Sequence, residues 1–141
     1  MKERVLMVWD IYDGVRSGIA LYGAEPYYFD CEFDSGEGDY TDVFCLWPMP
    51  NELLRLATEQ WHIYRAWERK FHSGEVPSGT HPGNRGQSAR YDEIEDRINE
   101  YLKSLSAPAH RLVAKFEAQE DQPELPRGCL REMEVTWLRT G

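Results

Sequence analysis

The sequence predicts an α+β fold, a mostly antiparallel sheet of N-terminal and C-terminal strands packed against two helices. Three observations carry this expectation. Short apolar or alternating runs fill the first 50 residues, two stretches with helical spacing and no Gly or Pro occupy the middle, and alternation returns after residue 110.

Taken in order, "RVLMVW" (Arg4 to Trp9) is short and nearly continuous in apolar residues, which suits a buried strand. Asp13-Gly14 is a turn signal, and "IALY" (Ile19 to Tyr22) leads through Gly23 into "YYFDCEFD" as a hairpin. In the second arm Tyr27, Phe29, Cys31 and Phe33 alternate with Tyr28, Asp30, Glu32 and Asp34. A period of two turns the first set inward as an aromatic face and the second outward as an acidic one. "VFCLW" (Val43 to Trp47) is a further strand, closed by "PMP".

From Glu52 to His72 the chain reads as a long helix with Asn51 as its cap. Leu53, Ala57, Gln60, Tyr64, Trp67 and Phe71 share a face that Leu54, Trp61 and Ile63 widen, so Trp61, Tyr64 and Trp67 are expected at the centre of the core. Glu68, beside Trp67, is the acid best placed for burial there. Residues 73–90 are rich in Gly, Pro, Ser and Asn and exceed a usual connection, which marks the segment as functional or disordered. Its His81, Asn84, Arg85, Ser88 and Arg90 precede a helix N-terminus, a place where anions bind, but no P-loop pattern occurs.

The second helix, "YDEIEDRINEYLKSL", sets Ile94, Ile98, Tyr101, Leu102 and Leu105 on one side. Leu112, Ala114 and Phe116, then Met133, Val135 and Trp137, alternate with polar residues as two late strands. No repeat or linker interrupts the chain, so residues 1–141 are expected to form one domain.

Charge is the feature that bears on function. The net charge is −9 at pH 7, and residues 1–50 hold ten acids against three bases. From Pro26 to Asp42 there are six acids and no base: Asp30, Glu32, Asp34, Glu37, Asp39 and Asp42. A calcium loop would use Asp30, Glu32 and Asp34 at its first three ligand positions, but Ser35 and Thr41 stand where Gly and Glu are required. A metal-dependent hydrolase using Asp10, Asp13, Asp30 and Glu32 is the alternative function, if the first and third strands are neighbours. A solvated sheet edge, kept soluble by its charges, is the plainest reading.

The leading functional expectation is a small, acidic interaction module that docks a basic protein through the six acids of its N-terminal sheet face, in the manner of an immunity protein or antitoxin. Clustered Lys and Arg are lacking in that half, which argues against nucleic acid as the partner. The histidines (His62, His72, His81, His110) show no ligand spacing, and Cys31, Cys45 and Cys129 read as free structural thiols, so no metal or cofactor is assigned. Without a signal peptide or an apolar run of about 20 residues, a cytoplasmic location without membrane contact is expected.

Overall fold

Both edges of the predicted sheet find a partner. In this computed structural model, which describes residues 2–119, 122 and 125–140, six strands pair antiparallel in chain order. They are β1 (Lys2–Ile11), β2 (Val15–Tyr22), β3 (Glu25–Asp34), β4 (Asp39–Pro48), β5 (His110–Ala118) and β6 (Met133–Arg139). β5 joins β4 through Val43 opposite Val113, and β6 returns to β1 through Lys2 opposite Thr136 and Arg4 opposite Glu134. The result is a closed barrel.

Closure corrects the expected fold class: the strands do not form an open sheet packed against two helices. A sheet that closes satisfies its own edges, and its inward side chains bury one another without needing another layer. Phe29, Phe44, Phe116 and Trp137 do this here, with ring centroids 5.4 to 6.5 Å apart. Phe29 on β3 reaches Phe116 on β5 and Trp137 on β6, strands that are not its neighbours, so these contacts cross the interior. Ala20, Leu46 and Val135 are fully buried. Gly18 is required by space: a Cβ there would lie 2.2 Å from the Met7 carbonyl oxygen and 3.1 Å from the Phe29 ring.

The β2–β3 turn has two residues, Gly23 and Ala24, with φ of 58° and 66°. Both angles are those of a type I′ hairpin turn, whose twist matches that of the flanking strands. The Glu3 carboxylate accepts from both turn amides, at 3.0 Å from Gly23 and 2.9 Å from Ala24.

The chain divides into two compact units: Met1–Met49, Leu105–Glu120 and Glu132–Gly141 make up the barrel unit, and Pro50–Ser104 with Asp121–Arg131 make up the other. The second unit carries α1 (Asn51–His72) and α2 (Ala89–Lys103). Pro50 occupies the N-cap of α1, without a side-chain capping bond, and Ser88 caps α2 by accepting from the Tyr91 amide. Buried on α1 are Leu53, Ala57, Gln60, Arg65 and Glu68, so the expected aromatic centre is displaced by a polar stripe. Trp61, Tyr64 and Trp67 are only half-buried.

The segment between the helices is built onto those half-buried rings. His81 lies 4.4 Å from Trp67 and 5.5 Å from Tyr64, and Trp67 Nε1 donates to Thr80 Oγ1 at 2.9 Å. Arg85 Nη2 donates to both carboxylate oxygens of Asp96 on α2, and Asp92 accepts from the Gly86 amide. Ser88 thus takes one amide of the helix N-terminus that the sequence offered as an anion site, while Asp92 reaches back to the preceding loop. Among the described residues no helix is long and apolar enough to cross a membrane.

Candidate interaction surface

The acids fall into three groups by what they touch. Asp34, Glu37 and Asp39 belong to the β3–β4 turn, where Asp34 Oδ1 accepts from the amides of Gly36 and Glu37 at 2.9 and 3.2 Å. Asp39 Oδ1 accepts from the Tyr40 amide at 2.8 Å. A hairpin turn therefore stands where a calcium loop would need to wrap an ion. With Asp42 on β4, all are exposed, and among the described residues none of the four forms an ion pair.

Glu32 is different. It forms a bidentate pair with Arg111 of β5 at 2.6 and 2.9 Å, and this bond holds its carboxyl below the usual carboxylate range. It also accepts from the Cys45 thiol, whose pKa burial and the Glu32 carboxylate push up to about 11. Asp30 goes the other way. Ser17 of β2 lies between Asp10 and Asp30 in the strand register, and desolvation, followed by the Asp10 charge, raises the Asp30 pKa.

Around the turn acids the surface is apolar. Ile11, Tyr12 and Phe33 are 55%, 69% and 57% exposed. Tyr40 joins the two hairpins, with its ring 6.2 Å from Tyr12 and 5.1 Å from Phe33. Arg16 lies 4.3 Å over the Tyr40 ring and donates to the carbonyls of Tyr12 and Asp13, so the cation braces the β1–β2 turn. Asp10 and Asp13 flank this patch on one hairpin, and Asp34, Glu37 and Asp39 on the other.

Phe33 was expected inward. It stands near the end of β3 beside the turn, where the register shifts because β4 carries two more residues than β3 between the Cys31–Phe44 and Phe33–Tyr40 pairs. Tyr28, expected outward with the acids, is buried, with Trp9 and Trp47 each within 5.6 Å of its ring. Tyr12 and Ile11 carried no pattern to single them out.

The hydrolase set does not assemble. β2 lies between β1 and β3, so Asp10 and Asp30 flank Ser17 on separate strands, and Glu32 is held by Arg111. Among the described residues three metal-type ligands converge only at Glu68, His72 and Cys129, in the helical unit. All three cysteines are free thiols. Burial, then the Glu68 charge, raises the Cys129 pKa, which favours the thiol unless a bound cation draws off the proton. No family model, curated protein or solved structure matches the chain.

Proposed function

We propose that this protein is a binding module whose β1–β2 and β3–β4 hairpins dock a basic protein partner. The observation that carries the reading is the exposed pair Tyr12 and Phe33 on either side of Tyr40, on hairpins whose Asp34, Glu37 and Asp39 form no ion pair among the described residues. Apolar anchors inside a charged rim are the anatomy of a protein interface, and aromatic residues are its usual energetic centre. The sign of the rim selects a partner rich in Lys and Arg.

The solvated-edge alternative loses its object in a closed barrel, since no free edge strand remains to be protected. Asp34 and Asp39 hold turn amides, but no cation offsets their charge among the described residues. Asp34 and Asp39 stand directly opposite each other, and like charges so placed are destabilising. A partner's cations would relieve that repulsion, and burial of Tyr12 and Phe33 would hold the complex once formed.

The test separates charge from apolar contact. The wild-type chain and two variants, D34K/E37K/D39K and Y12S/F33S, are used to capture basic proteins from a native extract. The reading expects a basic protein retained by the wild type and lost from both variants. Its association rate should fall roughly tenfold or more on charge reversal at low salt, and far less at high salt. Y12S/F33S should act on dissociation instead. Capture that is indifferent to both variants, or no basic partner at all, overturns the reading.

A further inference from the structure

Away from the barrel, one cluster in the helical unit combines three different metal-ligand chemistries. Four residues apart on α1, Glu68 and His72 lie one above the other on the same helix face. The returning segment brings Cys129 to them, and a carboxylate oxygen, an imidazole nitrogen and the thiol sulfur all lie within 4.8 Å of one another. We propose that Glu68, His72 and Cys129 bind a zinc-type divalent cation, with a fourth position open to water or an external ligand.

The donor set decides the class of ion. Thiolate with imidazole favours zinc and its neighbours over magnesium or calcium, which take oxygen ligands. Three protein ligands with one open position is the pattern of a tetrahedral site that keeps an exchangeable ligand. His72 is exposed, so solvent reaches the cluster from its side, whereas Glu68 and Cys129 are buried.

The surroundings hold each ligand in place. Glu68 accepts from Arg65 at 2.6 Å, from the Leu130 amide at 2.8 Å and from Tyr64 Oη at 3.2 Å. A carboxylate has about four lone-pair sites, so three are used for orientation and one is left for a metal. Arg65 also donates to the Leu130 carbonyl at 2.7 Å, which fastens the segment carrying Cys129 to α1. Gly128 brings that segment onto the His72 ring: a Cβ there would lie 2.7 Å from Nδ1, and its φ of 98° favours glycine independently. The same closeness fixes the imidazole beside the thiol.

The full chain, purified without a histidine tag and stripped with chelator, should take up one Co2+ per molecule. A thiolate-to-cobalt charge-transfer band and the visible bands of a tetrahedral site should appear together, and Zn2+ should displace them. Zn2+ should also raise the Tm saturably, because it binds the native state. C129S should abolish the charge-transfer band, and H72A should weaken Zn2+ binding by about tenfold or more. Metal-free H72A should still unfold cooperatively in urea, which separates lost binding from a lost fold. Absence of a thiolate band in the wild type, or wild-type Zn2+ affinity in either variant, overturns the proposal.

Discussion

Replacing Glu68 by Gln tests whether the polar stripe of α1 is a structural keystone. The Glu68 and Arg65 side chains are 3% and 10% exposed, and their charged atoms lie 2.6 Å apart. Gln keeps the size of Glu but removes the charge. In one amide orientation its NH2 faces the Arg65 guanidinium, and in the other it faces the Leu130 amide, so a donor meets a donor either way. Breaking a buried pair from one side costs about 3–5 kcal/mol, because the remaining charge loses a buried partner. The Leu130 carbonyl still accepts from Arg65, which places the expected loss near the bottom of that range, about 3 kcal/mol.

Urea denaturation in the presence of chelator reads this directly, as a lower midpoint at an unchanged slope. Against a total stability of about 5–15 kcal/mol the shift is large. The R65M/E68L double variant removes both charges of the pair together and should lose less than E68Q alone. A loss below about 1 kcal/mol for E68Q, the range of solvated surface pairs, would refute the reasoning. So would a double variant that loses the sum of the two single changes.

Two further tests concern the barrel. Ala24 sits at φ 66°, where a Cβ is strained and glycine is not, so A24G should raise the urea midpoint by about 1 kcal/mol of stability; a lower midpoint would mean the turn is not strained. Asp30 and Glu32 should show opposite pH dependence. The raised Asp30 pKa makes its ionised form a liability that grows as pH rises above the ordinary Asp value, so D30N should stabilise at neutral pH and have no effect in acid. Glu32, lowered first by its Arg111 bond, contributes stability present above the ordinary Glu pKa and lost as pH falls through its folded value. E32Q should therefore destabilise at neutral pH only, and midpoint shifts of the same sign for both variants would contradict the assignment.

Much of the secondary structure was legible because it is written locally. α1 starts within a residue of its expected position and ends where expected, and the late alternations of Leu112 to Phe116 and Met133 to Trp137 lie within β5 and β6. Ring closure was not legible. The pairing of Lys2 with Thr136 joins the two ends of the sequence, and neither end carries a pattern that names the other. The interaction surface was half legible: six acids stand out in the sequence, but alternation alone places Phe33 inward and does not register that it stands exposed beside the turn. Glu68 was singled out for burial, and it is 2% exposed. Its partners Arg65, His72 and Cys129 were not found, because proximity of Cys129 to α1 exists only in three dimensions.

Ring closure also imposes an order of events on the folding chain. β1 to β4 are a meander in which each strand pairs with the next along the chain, whereas Leu46 must find His110 and Lys2 must find Thr136 across long intervening segments. Contacts of high sequence separation incur the entropy of loop closure before they return any enthalpy, so they form late. A chain folding from its N-terminus therefore has four strands in hand while β1 and β4 still present open edges, and the ring is completed only when β6 slots between β5 and β1. The same antiparallel pairs that leave the finished barrel without an edge make its half-built form the state most exposed to wrong pairing.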